Sequence, residues 1–318
     1  MASPKPRPAA DALPAPEDCA IERLDQLMRT ASGPPPSGHL WIGDDAAVVP
    51  PPVGSLVLST DAAVAGVHAD LDLVGLDDLG WKALTAAVSD LGAMGAIPRW
   101  ALVTLCLPAG TDLDRLGRGL ADASAAWACP VVGGDLTTAA QVVVSVSVAG
   151  DLVGDRPAVT RAGASAGDTL FVTGPLGASA AGLRLLRAGT TTGTPVAAHR
   201  RPTARLVEGR TARDAAATAM MDVSDGLALD LHRLADASGV GFVLDHVPVA
   251  SGATLDEALG GGEDYELIVA TADPDGLAAA FDAVGLRRPL PIGRCIADPA
   301  ERLLDGQPVR RVGWQHLL

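Results

Sequence analysis

Ser89-Asp90-Leu91-Gly92-Ala93-Met94-Gly95-Ala96 sets a carboxylate among small residues at the end of a long helical segment. Between residues 77 and 94 the apolar side chains recur at helical spacing behind a capping Asp77: Leu84, Val88 and Leu91. This pattern predicts a helix. Asp90 shares a second stripe with the alanines at 83, 86 and 93, so a bulky ligand could approach its carboxylate. Alanines that only pack tightly, beside an Asp90 that faces water, fit the same pattern.

Carboxylates recur in five more short motifs rich in glycine, serine and threonine. The motifs are Gly43-Asp44-Asp45, Ser59-Thr60-Asp61, Gly133-Gly134-Asp135, Asp222-Val223-Ser224-Asp225-Gly226 and Gly261-Gly262-Glu263-Asp264. Glycine and small hydroxyl residues let the backbone approach a ligand, and carboxylates supply the hard oxygens that Mg²⁺ prefers. Any one motif also fits a turn or a helix cap, with Ser224 or Asp225 as an N-cap. Together they favour a polyphosphate site held through metal ions.

Lysine is scarce, and this bears on how a phosphate could be held. The chain has only Lys5, in a proline-rich segment, and Lys82, in the predicted helix. P-loop and protein-kinase folds each depend on a lysine at the phosphates. No Gly-x-x-x-x-Gly-Lys motif occurs. Divalent cations are therefore expected to do most of the charge neutralisation.

Composition narrows the classes of protein. The 318 residues, 48% hydrophobic, suit two soluble domains with buried cores. A net charge of −14 and 3% aromatic residues argue against nucleic-acid binding. The four cysteines are far apart, which predicts neither a zinc site nor a disulfide framework and fits the cytoplasm. No apolar run is long enough for a membrane span, and the Pro/Ala-rich start lacks the apolar stretch of a signal peptide.

The order of predicted elements favours an α+β fold. Strands are predicted at 48–49, 56–58, 101–107, 142–148, 169–173, 267–270 and 291–293, and further helices at 21–28, 113–128, 176–188 and 225–238. Asp45 and Asp61 are expected at strand ends. Strands and helices mix without strict alternation. We predict a disordered tail at 1–18, an N-terminal α+β domain at 19–153 that binds metal and nucleotide and dimerises, and a C-terminal α+β domain at 154–318.

The whole motif set, in order, resembles the thiamine-monophosphate kinase family. The six motifs above are joined by Gly66-Val67-His68, Thr160-Arg161-Ala162-Gly163-Ala164, Tyr265-Glu266-Leu267 and Gly313-Trp314. This family belongs to the aminoimidazole ribonucleotide synthetase superfamily. The resemblance implies a two-domain fold of that type, whose N-terminal domain pairs with its dimer mate into a β-barrel. Apolar strands at 56–58 and 142–148 are also expected to need a homodimer to cover them.

The resemblance also implies roles for single residues. Magnesium ligands would be Asp45, Ser59, Thr60, Asp61, Asp90, Asp135, Asp222 and Asp225. ATP would meet Gly134, Asp135, Arg161 and Ser224, and thiamine monophosphate would meet His68, Glu263 and Trp314. Catalysis would rest on Asp61, Asp135 and Asp225. The implied reaction moves the γ-phosphoryl group of ATP onto thiamine monophosphate with the help of several Mg²⁺ ions.

Other interpretations compete at particular positions. His68 alone fits an ordinary loop histidine, and Trp314 fits an anchor of the C-terminus. Ala69 replaces an aromatic residue frequent in the family, and Glu17-Asp18-Cys19 replaces its usual helix start. A selenophosphate synthetase would need a reactive cysteine beside a lysine, and the hydrogenase-maturation relative would need a C-terminal cysteine. A catalytically inactive binding protein stays open on sequence alone.

Overall fold

The structure is a computed structural model, and it describes residues 16–315. The first half contains α1 (Pro16–Ser32), β1 (Ser55–Val64), α2 (Leu76–Ala93), β2 (Ile97–Leu107), α3 (Leu113–Ala126), β3 (Val131–Thr138) and β4 (Val143–Leu152). The second half contains β5 (Thr169–Val172), α4 (Ala178–Arg187), α5 (Thr194–Arg200), α6 (Leu206–Asp214), β6 (Ala219–Asp222), α7 (Leu227–Ser238), β7 (Gly241–Leu244), α8 (Leu255–Gly260), β8 (Leu267–Thr271), α9 (Pro274–Ala283), β9 (Leu290–Ile296), β10 (Arg302–Leu304) and β11 (Gln307–Pro308).

The first sheet has four strands in the order β1-β4-β2-β3, and one face carries the core. Neighbouring strands run antiparallel except for β2 and β3, which are parallel. Side chains alternate along β4, so the valines at 144, 146 and 148 are buried in a core shared with α2 and α3. The expectation that the 142–148 strand needs a dimer mate to cover it was wrong for these valines. The exposed apolar residues lie on the opposite face: Leu56, Leu58 and Leu102.

The second sheet has seven strands in the order β11-β10-β7-β9-β5-β8-β6. Its pairs are antiparallel except for β10 and β7. Two apolar clusters built around Phe242 and Phe281, both fully buried, pack against this sheet. The short strand β6 is buried along its length and delivers Asp222 at its end. The edge strand β6 therefore leads directly into the motif Asp222-Val223-Ser224-Asp225-Gly226.

Several sequence expectations need correction at element ends. Val48 forms only an isolated bridge with Leu40, so the predicted strand at 48–49 is absent from the described residues. Asp61 lies inside β1, opposite Val146, and not at a strand end. Residues 16–18 of the predicted tail belong to α1, and residues 1–15 lie outside the described part of the chain.

Helix caps also differ from the expected ones. The N-cap of α2 is Gly75, whose backbone N–H donates to Oδ2 of Asp78 at 3.1 Å, and not Asp77. Asp77 instead pairs with Arg115 at 2.6 Å. The N-cap of α7 is Gly226, at φ 118, and not Ser224 or Asp225. Glycine is suited to this cap because a left-handed φ strains other residues.

A polar segment from residue 199 to residue 213 joins the two halves. Nε1 of Trp81 in α2 donates to the carbonyl oxygen of Pro202 at 2.8 Å. The buried guanidinium of Arg213 donates to the carbonyl oxygens of Gly95 and Val153. The boundary predicted between 153 and 154 falls in the connection from β4 to β5. Among residues 16–315, no helix has the length and apolar character to cross a bilayer.

Candidate active site

Three carboxylates from both halves of the chain meet beside α2. Ser59 and Asp61 are two residues apart on β1, so both face α2. Oγ of Ser59 donates a hydrogen bond to Oδ2 of Asp90, and the carboxyl of Asp61 lies close enough to Asp90 for the two to repel each other. Oγ of Ser89 donates to Oδ2 of Asp222, at the end of β6, at 2.6 Å. The first sheet, helix α2 and the second sheet thus each bring an acidic group to one place.

Asp61, Asp90 and Asp222 form a carboxylate cluster, in which burial and repulsion by neighbouring charges raise the pKa values of Asp61 and Asp222. Desolvation, followed by the charge of Asp90, raises the pKa of Asp61 to about 6. Desolvation and the charge of Asp90 raise the pKa of Asp222 to about 7, against the hydrogen bond from Ser89. Close carboxylates with raised pKa values are a donor set that a divalent cation would stabilise. Within residues 16–315, no three Asp, Glu, His or Cys side chains are already arranged as a metal cage.

A cavity of about 780 Å³ opens from Asp61. Its walls come from β1 and the following loop with His68, from α2 and α4, and from the glycine run 260–262. Trp314 also lines it. The cavity therefore has both acidic and aromatic lining, contributed by both halves of the chain.

Glu263 is held inside this cavity by a buried lysine. Nζ of Lys82, only 3% exposed, donates to Oε2 of Glu263 at 2.8 Å. Nδ1 of His199 lies 3.6 Å from the same oxygen and 3.1 Å from Oγ of Ser179. Desolvation, followed by the charge of Lys82, lowers the pKa of His199 to about 4, so this ring is neutral. Lys82 and Glu263 form a compensated pair that links the two halves.

The Ser224-Asp225 loop is held by an acidic residue in α7. Oδ2 of Asp230 accepts hydrogen bonds from the backbone N–H groups of Ser224, Asp225 and Gly226 at 3.1, 2.9 and 3.1 Å. Arg233 pairs with both Asp225 and Asp230. A carboxylate that accepts three N–H groups fixes a loop firmly. Ser224 and Asp225 are therefore presented to the cavity on a rigid support.

His68 and Trp314 both line the cavity. Nδ1 of His68 accepts a hydrogen bond from the N–H of Val64 at 3.0 Å, which orients the ring. The backbone N–H of Trp314 donates to the carbonyl oxygen of Asp225 at 2.9 Å, and its side chain is 48% exposed. That exposure does not fit an anchor buried in the core.

Eight predicted site residues do not line the cavity. Three of them belong to the carboxylate cluster or contact it: Ser59, Asp90 and Asp222. The other five lie outside both the cavity and the cluster: Asp45, Thr60, Gly134, Asp135 and Arg161. Oγ1 of Thr60 bonds to the carbonyl oxygen of Val146 and to Ser147, on the face of the sheet turned away from Ser59 and Asp61. Arg161 is exposed in the connection from β4 to β5, and its carbonyl oxygen accepts a hydrogen bond from Oγ of Ser238.

Asp135 lies on the same outer face of the first sheet as Thr60. It is exposed on β3, opposite Thr104, and three strand spacings separate it from β1, or roughly 14 Å. A Cβ on Gly133 would lie 3.9 Å from Cβ of Ala47, so the segment with Asp45 reaches the same edge. The predicted metal ligands thus fall into two groups, at opposite sides of the sheet.

Comparison with known proteins agrees with the motifs. Residues 43–152 match the family "AIR synthase related protein, N-terminal domain", and residues 165–306 match the corresponding C-terminal domain. The thiamine-monophosphate kinase of Mycobacterium tuberculosis is 36% identical over 305 residues, which cover 92% of this chain and 90% of that protein. This chain belongs to the thiamine-monophosphate kinase family.

Solved structures of this family share the fold. The thiamine-monophosphate kinase of Stenotrophomonas maltophilia K279a matches with a TM-score of 0.80 and 32% identity, over 91% of this chain and 97% of that one. A structure of AaThiL complexed with AMPPCP and TMP matches with a TM-score of 0.74 and 32% identity, over 92% and 96% of the two chains. The predicted two-domain α+β fold of the aminoimidazole ribonucleotide synthetase type is confirmed.

In this thiamine-monophosphate kinase family member, four residues that line the cavity or support it were given no role by the sequence analysis: Lys82, His199, Asp230 and Tyr265. Lys82 had a usable signal, because it is one of two lysines and sits on the same helix as Asp90. Asp230 lies four residues after Gly226, at a distance that suits capping back onto the loop. His199 and Tyr265 become significant only through contacts between distant segments.

Asp222→Asn should raise the melting temperature of the metal-free protein at pH 7.5 by roughly 5 °C. The folded state holds the Asp222 proton more tightly than the unfolded state, so this carboxyl costs stability as pH rises from 3.8 towards about 7. The amide of the variant does not titrate, so this dependence of stability on pH is removed. Thermal scans in EDTA at pH 5 and 7.5 provide the measurement, with the exposed Asp72→Asn as control. Equal slopes in the variant and the parent protein would contradict the electrostatic account of the cluster.

Proposed function

We propose that this protein phosphorylates thiamine monophosphate with ATP, giving thiamine diphosphate and ADP. The observation that carries the proposal is the cavity, which reaches the carboxylate cluster at Asp61 and is also lined by Glu263 and Trp314. The family supports the same activity, since a relative at 32% identity binds AMPPCP and TMP together. An ATP analogue and an acceptor bound to one relative are what a direct transfer requires.

In the proposed reaction, Asp61, Asp90 and Asp222 hold Mg²⁺. Magnesium would supply charge neutralisation between two phosphate groups that otherwise repel each other. Asp225 and Ser224 add further oxygen ligands to the cavity lining, on the loop that Asp230 supports. Because a phosphate monoester has a second pKa near 6, the acceptor is largely ionised at neutral pH and no side chain has to remove its proton. The work of the protein is then binding, alignment and exclusion of water.

The acceptor is proposed to bind with its thiamine part against Trp314 and Glu263. Trp314 offers a half-exposed ring to a positively charged thiazolium. Glu263 offers a carboxylate already compensated by Lys82, so it can accept hydrogen bonds without leaving a buried charge unpaired. His68 also lines the cavity and is proposed to contact the acceptor.

We also propose a homodimer, with a β-barrel formed by the outer faces of two first sheets. Three leucines support this pairing because they are apolar and exposed on that face: Leu56 at 48%, Leu58 at 68% and Leu102 at 48%. Asp135 and Gly134 lie on the edge of the same sheet, away from the cavity of their own chain. In the proposed dimer the partner's Asp135, Gly134 and Asp45 complete the metal and nucleotide site, and Arg161 contacts the nucleotide. All four cysteines are unpaired, which supports a cytoplasmic location.

Product identification tests the proposed reaction directly. The purified protein is incubated with ATP, Mg²⁺ and a panel of phosphorylated acceptors, and products are identified by mass. We expect thiamine monophosphate alone to gain one phosphoryl group while ATP becomes ADP. ATP hydrolysis without a phosphorylated acceptor, or transfer to other acceptors only, would refute the proposal. Tight binding of thiamine monophosphate without turnover would favour the inactive binding protein.

Trp314→Ala should raise the KM for thiamine monophosphate by about 10-fold, while the KM for ATP changes little. The substitution removes only the ring that is proposed to contact the thiamine part. Because that ring is exposed, its loss leaves no cavity in the hydrophobic core. Val312→Ala, similarly exposed two residues earlier, is the matched control. Steady-state kinetics with each substrate varied in turn measure the split. Equal loss for both substrates would mean that Trp314 has a structural role.

A further inference from the structure

Tyr265 is the one tyrosine of the chain, and neither the motifs nor the family resemblance gives it a role. It follows Glu263 by two residues and lines the same cavity. Its side chain is 7% exposed, so it belongs to the cavity wall. A phenol in such a wall combines an apolar ring with a hydroxyl that can donate a hydrogen bond.

Tyr265 lies close to both Glu263 and the carboxylate cluster, whose charges act on its hydroxyl. Its backbone N–H donates to the carbonyl oxygen of Val223 at 2.9 Å, next to Asp222 of the cluster. The N–H of Glu263 donates to the carbonyl oxygen of Ser224 at 2.8 Å, so the two loops run side by side. Tyr265 is therefore placed to meet the phosphate of an acceptor whose thiamine part contacts Glu263.

The phenol hydroxyl is a donor without an acceptor among the described residues. Among residues 16–315, no backbone or side-chain atom accepts a hydrogen bond from the Tyr265 hydroxyl. Burial, with the charges of Glu263 and the carboxylate cluster, raises its pKa well above the usual value near 10, so it stays protonated. This hydroxyl is not among the buried side-chain atoms that lack a partner, so it is open to the cavity that Tyr265 lines. A hydroxyl in that position can donate to an oxygen of a ligand that enters the cavity.

The backbone around Tyr265 is held in a strained shape. Glu263 and Tyr265 have φ values of 64° and 51°, in the left-handed region that side chains rarely adopt. Their neighbours hold the loop: Oδ2 of Asp264 accepts from the N–H of Gly177 at 2.6 Å, and Glu266 pairs with Arg205 at 2.6 Å. Strain of this kind persists only where surrounding contacts impose it, and it turns both cavity side chains toward the ligand.

We propose that the Tyr265 hydroxyl donates a hydrogen bond to an oxygen of the phosphate that accepts the transferred group. The inference rests on the proposed function and adds a substrate-contacting residue to it. Glu263 and Trp314 hold the thiamine part, and Tyr265 holds the phosphate in line with the carboxylate cluster. The ring of Tyr265→Phe keeps the cavity wall and removes only the donor.

Binding of two ligands that differ by the phosphate tests this contact. Titration calorimetry with Mg²⁺ present compares thiamine monophosphate with thiamine. We expect Tyr265→Phe to weaken thiamine monophosphate by about 10- to 100-fold and to leave thiamine unchanged. Glu263→Gln is the matched control, since it should weaken both ligands. Unchanged affinity for thiamine monophosphate in Tyr265→Phe, or equal loss for both ligands, would overturn the inference.

A second readout uses the fact that the chain has one tyrosine. Protein labelled with ¹³C at Cζ of tyrosine gives a single resonance from Tyr265. We expect thiamine monophosphate to shift this resonance and thiamine to leave it nearly in place; equal shifts would contradict a phosphate contact. If the parent protein binds no thiamine monophosphate, the proposed function falls, and this inference falls with it. If it binds and turns over while Tyr265→Phe behaves identically, the inference alone is overturned.

Discussion

Asp61→Asn should lower kcat by about 10³-fold at saturating Mg²⁺, because an amide is a poor ligand for a hard cation but has nearly the shape of a carboxylate. Asp61 lies beside Asp90 and is the one member of the carboxylate cluster that lines the cavity. The measurement is turnover of ATP and thiamine monophosphate over a range of Mg²⁺ concentrations.

The fold of this variant should survive, which separates lost chemistry from lost structure. The metal-free Asp61→Asn protein should be at least as stable as the parent, since one repelling charge is removed beside Asp90. Asp72→Asn, in an exposed loop, should keep full turnover. Parental turnover in Asp61→Asn at saturating Mg²⁺ would remove the basis for a metal site at the cluster.

Two inactive variants should restore activity when they are combined in one dimer. Asp61→Asn and Asp135→Asn should each be nearly inactive alone. If the partner's Asp135 completes each site, a mixed dimer contains one doubly altered site and one unaltered site. Its turnover should return to about half that of the parent dimer. Co-expression of the two chains with different affinity tags and two-step purification yields the mixed dimer.

A second pair of variants distinguishes this arrangement from a site built within one chain. Asp61 and Asp222 belong to the same cluster of the same chain, so a mixed dimer of Asp61→Asn and Asp222→Asn has one defect in each site and should stay inactive. Failure of the Asp61→Asn and Asp135→Asn pair to regain turnover would assign Asp135 to its own chain. A mass of one 32.1 kDa chain in light scattering would refute the dimer itself.

Elements with strong local signals could be predicted from the sequence. The buried valines of β4 alternate strictly, and α2 and α3 carry long periodic apolar stripes. The sequence does not predict α6, whose buried residues are Gly209, Thr211, Ala212 and Arg213. No apolar pattern marks a helix that buries an arginine against backbone carbonyls. Val48 and Val49 show the opposite case, because strand-forming residues without a neighbouring strand stay irregular.

The sequence predicts which residues belong to the site better than it predicts how they are arranged. The motifs identify the carboxylates, but strand register decides that Asp61 faces α2 while Thr60 faces away. Sheet order places Asp135 three strands from β1, which no short motif encodes. Lys82 pairs with a residue 181 positions later. Such contacts follow from the folded topology and leave no trace in local spacing.

The alternation of support and cavity residues between 263 and 266 makes this loop a practical target for redesign. Asp264 and Glu266 bind α4 and Arg205, whereas Glu263 and Tyr265 line the cavity. A library that randomises 263 and 265 and keeps 264 and 266 would vary the contacts to the thiamine part and to the acceptor phosphate without loosening the loop that carries them. Because both randomised positions have positive φ, codons for Asn, Asp and Gly should be over-represented. Selection from such a library gives directed evolution a two-position route toward kinases for other phosphorylated cofactors.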